Sequence, residues 1–402
     1  MSVNTLTFEQ CATVLTSIVK QATGQTPIAI TDTASFVSVA QTALRADKDR
    51  VIDAISNVLA RTIFAIRPYE AKMTGLEMDS FRWGNCMRKL AIADTDWDDD
   101  KAYEYPVLFD ANQTPPNGDG GMVDQWVIKK PNILQTNFYG SSVFADHISI
   151  MEEQYETAFT SPGEFAQFIS MLMTNMNNRI QMSKENIRRG LTCNAVGAIV
   201  AEGNTDRVIH LLAEYNTLTG NSFTKQNIYD PSNFGAFTKW MYSRVAQITD
   251  LFTANSLKFQ TTITGKPVLR HTPYEYMKVY LFSPMQRQIE SRVLADTYHD
   301  NYLKYADVET IPFWQDINDP GHIKVTPCYT DTSGAVVNAS AQDIEDVYGI
   351  IFDRDFMGMT SLGERVIPTP VNASGIYRNL WYHMKNRVFM DNCEKACVLL
   401  LD

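Results

Sequence analysis

The sequence predicts an α+β protein built from several packed units, and three observations carry that reading. Apolar residues recur at helical spacing from Phe165 to Ala198, far beyond the usual three turns. Near the C-terminus Leu380, Tyr382 and Met384 alternate with Trp381, His383 and Lys385, a two-residue period that belongs to strands. Between these two regions, short apolar runs alternate with helix starts, so helix and strand are mixed there. With 402 residues the chain exceeds one ordinary domain, and two or three compact units are expected. Its 45% hydrophobic and 20% charged content is that of a globular protein with a large core.

The N-terminal region, residues 1–83, reads as a helical arm. Thr7 is placed to cap a helix, with Gln10 as its return partner, and Phe8, Cys11, Val14, Leu15 and Ile18 follow at helical spacing. Gly24 and Pro27 stop that helix. A second amphipathic run covers Lys48 to Ile66 and ends at Pro68. Such an arm packs on its own body or on a neighbour.

Residues 84–145 change character. An acidic run, Asp94, Asp96, Asp98, Asp99 and Asp100, precedes a turn-rich stretch from Thr114 to Gly121. β-like segments flank it at Tyr103 to Phe109 and from Trp126 past Pro131, which predicts a two-stranded excursion. A lone ribbon is marginally stable in water, so it is expected to lean on a partner surface.

Residues 146–204 hold the long helix. Ser161 is the expected N-cap, Pro162 sits at the first helical position and Glu164 completes a capping box. Gly203-Asn204 is the expected C-terminal cap, and Gly190 and Gly197 are places where the rod would bend or break. In residues 205–360, Asp230-Pro231 starts a helix with Phe234, Phe237, Met241, Val245, Ile248 and Phe252 on one face. A strand is expected at Lys278 to Phe282, a helix from Ser283-Pro284, a strand at Ile323 to Thr326, and a buried strand at Ile350 to Phe352. Residues 361–402 read as all β, ending on a strand at Ala396 to Leu401.

Charge and motif content exclude several classes of function. A net charge of -11 argues against a protein whose task is gripping nucleic acid, though not against one that encloses DNA. The six cysteines, Cys11, Cys86, Cys193, Cys328, Cys393 and Cys397, form no CxxC pair and read as reduced, buried thiols of a bacterial-type cytoplasm. The first residues lack a basic segment followed by an apolar core, and no 18-residue apolar run occurs, so a soluble protein without a membrane partner is expected. Phosphate-loop, dinucleotide and nucleophile-elbow patterns are missing. Asp94, Asp96 and Asp98 sit at calcium-loop spacing, but Asp99 stands where that loop needs Gly and Tyr105 where it needs Glu, so an acidic patch is the reading. The histidines, His147, His210, His271, His299, His322 and His383, show no metal spacing. No catalytic, cofactor or metal residue is assigned, and the protein is read as no enzyme.

The order of parts now gains weight from three stretches: Thr157-Ala158-Phe159-Thr160-Ser161-Pro162-Gly163-Glu164-Phe165; Ile350-Ile351-Phe352-Asp353-Arg354-Asp355; and Asn372-Ala373-Ser374-Gly375-Ile376-Tyr377-Arg378-Asn379-Leu380-Trp381-Tyr382-His383. Together they resemble head proteins of short-tailed phages of the phi-29 kind and gut-phage capsids, with similarity from about residue 135 onward. The resemblance implies the Hong Kong 97 capsid fold: N-arm 1–83, E-loop 84–145, P-domain with spine helix 146–204, A-domain 205–360 and C-terminal P-domain strands 361–402. It further implies a major capsid protein that assembles in the host bacterial cytoplasm into hexamers and pentamers of an icosahedral head. That head encloses double-stranded DNA without sequence-specific binding. A separate scaffolding protein is expected, since no charged helical extension precedes the body, and a portal protein is a further partner. No immunoglobulin-like decoration follows residue 402, and no Lys–Asn cross-link is assigned. A nanocompartment shell of the encapsulin type is the alternative; an enzyme with an unrecognised site is a more distant one.

Overall fold

The computed structural model describes residues 8–24, 30–46, 71–78, 86–93, 132–151, 161–292 and 307–402. The expected helix at Lys48 to Ile66, the Thr7 cap, the acidic run and the strands at Tyr103 to Phe109 and Trp126 to Ile128 lie outside these residues. Helices are α1 (Phe8–Thr23), α2 (Thr33–Ala46), α3 (Pro162–Glu202), α4 (Leu211–Thr219), α5 (Pro231–Thr253) and α6 (Ser283–Arg292). Strands in the first half are β1 (Glu77–Met78), β2 (Cys86–Ala93), β3 (Asn132–Tyr139), β4 (Ser142–Met151) and β5 (Val208–His210). Then come β6 (Met277–Phe282), β7 (Asp307–Ile311), β8 (Ile323–Val325), β9 (Cys328–Thr330) and β10 (Val336–Asn338). The last are β11 (Gln342–Ile344), β12 (Val347–Asp353), β13 (Met357–Pro368), β14 (Tyr377–Met390) and β15 (Ala396–Leu400).

Two sheets organise the described residues. One is four-stranded, β1-β13-β14-β4, and the other five-stranded, β5-β15-β12-β6-β7. The rod α3 has 41 residues, about 60 Å at the helical rise, and it serves both. Phe165, Phe168, Leu172, Met176 and Ile180 in its first half pack on Leu380, Tyr382 and Met384 of the four-stranded sheet and on α1 and α2. Leu191, Cys193, Val196 and Ile199 in its second half pack on the five-stranded sheet. The N-terminal helices therefore rest on the chain's own body. α2 went unforeseen, although Asp32 and Ser35 carry its start: the Ser35 N–H donates to Asp32 Oδ1 (2.7 Å) and the Asp32 N–H to Ser35 Oγ (3.0 Å).

The five-stranded sheet is covered on both faces, and side chains sort by two-residue alternation. Val279, Leu281, Ile351, Cys397 and Leu399 face α4, α5 and α6. Tyr280, Ile350, Phe352, Ala396 and Val398 face α3. Here the sequence reading needs a correction. The terminal strand, expected with the strands of 361–402, pairs with β12 and β5 and so lies inside the five-stranded sheet. Its continuous apolar run suits a central strand buried on both faces, and all five residues are buried.

Residues 71–78, within the segment read as an arm, are built into the body. Met73 and Leu76 are buried, and β1 joins β13 in parallel. The Met73 N–H donates to Glu309 Oε1 (2.6 Å) and the Lys72 N–H to Glu185 Oε2 (3.1 Å). From α3, the fully buried Arg188 donates to the Lys72 carbonyl and to Glu77 Oε1, both at 2.7 Å. The excursion also ends earlier than expected: Gly140, at φ +91°, turns the chain, and residues 142–145 already belong to β4. Only a residue without Cβ takes that conformation freely.

α3 is continuous through Gly190 and Gly197 and ends at Glu202, with Gly203 left-handed at φ +69°. The two internal glycines differ in kind. A Cβ on Gly197 would stand 2.4 Å from Val325 Cγ1 and 3.3 Å from Pro327 Cβ, both on stiff side chains, whereas one on Gly190 would meet open space. Gly197→Ala is therefore expected to destabilise the subunit by about 1–3 kcal/mol through overpacking. Gly190→Ala should stabilise it by about 0.5–1 kcal/mol. Denaturant titration of the unassembled variants checks both, and equal shifts would refute the close-packing explanation.

Candidate functional site

The described residues offer surfaces and a buried junction rather than a reactive cleft. No group of three or more His, Cys, Asp or Glu among them is placed to hold a metal ion, and no described helix is long and apolar enough to cross a membrane. The buried thiols of Cys193, Cys393 and Cys397 are pushed up to about 12 by desolvation, which keeps them protonated and inert. Cys328 corrects the expectation of buried thiols: it sits exposed on β9, a three-residue strand that pairs, among the described residues, with β10. Of the histidines, His299 lies outside the described residues, and the others do not converge on one site.

His322 makes a local clamp. Its ring nitrogens bond Asp343 and, at 2.7 Å, Asp319 Oδ2, joining the turn before β8 to β11. Hydrogen bonds to Asp343 and then Asp319 raise its pKa above the usual 6.5. The clamp therefore stabilises the turn fully below pH 6.5 and loses that contribution as pH rises through the raised folded value. A histidine NMR titration should place the midpoint above 6.5 and Asp343→Asn should lower it; an unmoved midpoint would refute the clamp.

The four-stranded sheet keeps one face open, and its charges are segregated. Asp146 and Glu364 point toward α3, where they pair with Arg179 (2.7 Å) and Lys184 (2.9 Å). On the opposite face Arg365 and Lys385 are exposed beside Val143, Met151 and Ile367. His147 stacks on Trp381 at 4.4 Å, and Trp381 on His383 at 6.2 Å. The described residues of this open face include no carboxylate, although the whole chain carries a net charge of -11.

The second surface is the ribbon. β2 and β3 pair antiparallel from Cys86–Tyr139 to Ala93–Asn132, so the excursion leaves and returns at that last pair. Its outer face exposes Leu90, Ile92, Ile133 and Tyr139, by 52–72%. Its inner face packs Ala91 and Leu134 on Val268 and Cys393 of the body, with Phe138 against Phe389 at 5.3 Å.

The third feature is the crossover from β14 to β15, Asp391-Asn392-Cys393-Glu394-Lys395, buried throughout. Its polar side chains reach several elements. Asp391 and Glu394 hold Lys89 of β2 at 2.9 and 2.5 Å, and Glu394 also takes Arg270 at 3.1 Å. Asn392 Oδ1 faces Arg207 (3.5 Å), and its amide reaches the Thr330 carbonyl of β9 (3.4 Å). Lys395 Nζ donates to the Phe252 and Ala254 carbonyls (3.2 and 2.7 Å) and to Ser256 Oγ (3.1 Å), closing the C-terminus of α5. Burial lowers the Lys395 ammonium to about 8. It raises Glu394 above the carboxylate norm, against the opposing pull of Lys89 and Arg270. Reading the sequence alone missed this junction; five consecutive residues carrying three charges directly before the apolar strand β15 were its only signal.

The described residues form a mixed fold in which one rod spans two sheets, with an open sheet face and a ribbon as its surfaces. The model of the Phi29-like phage major capsid protein family matches residues 15–400, and the chain belongs to that family. The match begins well before residue 135, where the resemblance had started. Among solved structures, the capsid of Staphylococcus phage Andhra shares the fold at TM-score 0.52 and 9% identity, over 84% of this chain and 86% of that one. The capsid structure of cyanophage P-SCSP1u aligns at TM-score 0.45 and 9% identity, over 82% and 88%. No curated protein matches the chain at a significant level. The protein is a major capsid protein, a structural component of a tailed-phage virion that builds the head shell.

Proposed function

We propose that this subunit forms the hexamers and pentamers of a closed icosahedral head around double-stranded DNA, with the Hong Kong 97 division of labour. In that division the arm, residues 1–83, and the loop, 84–145, reach neighbours, 205–360 lines capsomer centres, and α3 stiffens the unit. Assembly takes place in the host bacterial cytoplasm, guided by a separate scaffolding protein and a portal, and catalyses nothing. The observation that carries the reading is surface complementarity. The described residues of the open sheet face present Arg365 and Lys385 among apolar residues and no carboxylate, while the sequence that follows β2 holds Asp94, Asp96 and Asp98 to Asp100. A ribbon of one copy laid on the sheet of the next pairs these charges and covers apolar surface on both. The DNA is contained rather than gripped, because an acidic chain of net charge -11 releases few counterions.

Purified protein, with its scaffold where assembly requires one, is expected to give closed shells or capsomers in negative-stain micrographs. Strictly monomeric particles under every assembly condition would overturn the proposal.

A further inference from the structure

The crossover 391–395 lies where three bodies meet, and its charges are shared unevenly among them. It is the chain's passage from the four-stranded sheet, which β14 leaves, to the five-stranded sheet, which β15 enters. Among the described residues, the β2–β3 ribbon forms a sheet of its own, with no backbone ladder to either. Its described polar ties to the body are few. Lys89 Nζ sits on Asp391 and Glu394 and points at the Asp355 carbonyl (3.4 Å), and Lys266 Nζ reaches the Ile133 carbonyl (3.4 Å).

We propose that this crossover is a conformational joint, in which the seating of the ribbon through Lys89 is coupled to the packing between the two sheets. The charge count at the joint is the reason. Among the described residues, two cations, Lys89 and Arg270, face two carboxylates, Asp391 and Glu394; the neighbouring Cys393 thiol, pushed up to about 12, is neutral near pH 7. Lifting the ribbon removes Lys89 and leaves two buried carboxylates against Arg270 alone. An uncompensated buried charge is costly, so the crossover must open to water. The same short segment holds Arg207 through Asn392, the end of α5 through Lys395, and the Thr261 N–H through the Asn392 carbonyl (2.9 Å). Opening it therefore loosens contacts on the five-stranded sheet as well as on the ribbon. By linkage, anything that holds the ribbon seated also tightens the junction between the sheets. Lys89 is a positioning residue in this scheme.

Hydrogen–deuterium exchange on the unassembled full-length chain tests the joint independently of whether shells form. In Lys89→Met, amides of β2 and β3 are expected to exchange at least about tenfold faster, and so are the remote Thr261 and Asp353 N–H groups that bond the crossover carbonyls. Lys89→Arg should keep both regions protected. Faster exchange confined to the ribbon, or none, would overturn the coupling, as would equal exposure in Lys89→Arg. If Lys89→Met fails to fold, Lys89→Gln, which removes the charge but keeps a polar end, carries the same two readouts under the same criteria.

Discussion

Replacing Trp97 to Ile128 with a short Gly-Ser linker is expected to leave a folded subunit that no longer closes into shells. The three large cores are assembled from α1, α2, α3, α4, α5, α6, residues 71–78 and the two main sheets, together with the residues between these elements. The ribbon root, β2 and β3, stays in the shortened chain with its Lys89 seat and its Leu134 contact on Val268. A two-stranded excursion adds little to intramolecular burial, so circular dichroism and the melting curve should superimpose on those of the intact chain. What disappears is Asp98 to Asp100 of the acidic run, together with the proposed reach to a neighbour. Electron microscopy with scaffold should then show no closed shells. An unfolded deletion variant would place the segment in the core, and normal shells would remove it from the inter-subunit contact.

Arg207→Met is expected to have the largest effect of any single substitution on subunit stability. Arg207 is fully buried between α3 and β5. Its guanidinium pairs with Glu202 and donates to Thr261 Oγ1 (2.9 Å) and the Ala396 carbonyl (3.2 Å), under the Phe356 ring. Burial depresses its pKa and Glu202 opposes that shift, so the pair stands on near-complete hydrogen bonding. Removing the cation leaves the partly buried Glu202, its side chain 10% exposed, without its partner, a loss of up to about 3–5 kcal/mol. The double variant Arg207→Met with Glu202→Gln should recover part of it, because no uncompensated charge remains. A denaturation midpoint unchanged in the single variant would show that Glu202 is satisfied by Thr261 alone, whose hydroxyl lies 2.6 Å from Glu202 Oε1.

The features legible in the sequence share a short range. The start of α3 at Pro162 and its end at Gly203 follow from residues within one turn of each boundary. The apolar face of α5, Phe234, Phe237, Met241, Val245, Ile248 and Phe252, is buried as its spacing predicts. The alternation of Leu380, Tyr382 and Met384 puts all three on the core side of β14. The helix start at α2 was equally local, in Asp32 and Ser35, and went unread because the apolar stripe behind it, Phe36, Ala40 and Ala43, is short and mostly small.

The sequence by itself determined the type of the long elements α1, α3, α5 and β14 and of the terminal β15, because capping, turn chemistry and hydrophobic period act between residues three or four apart. It also determined the acidic balance and the want of metal or nucleophile motifs. Only the tertiary structure decided which strands pair. β15 joins β12 and β5 across long separations, and strand pairing is a contest among partners that no local pattern settles. It likewise decided the fate of Arg188, Arg207, Glu394 and Lys395. As letters they resemble any solvated charge; their burial follows from partners far along the chain that satisfy them in place of water.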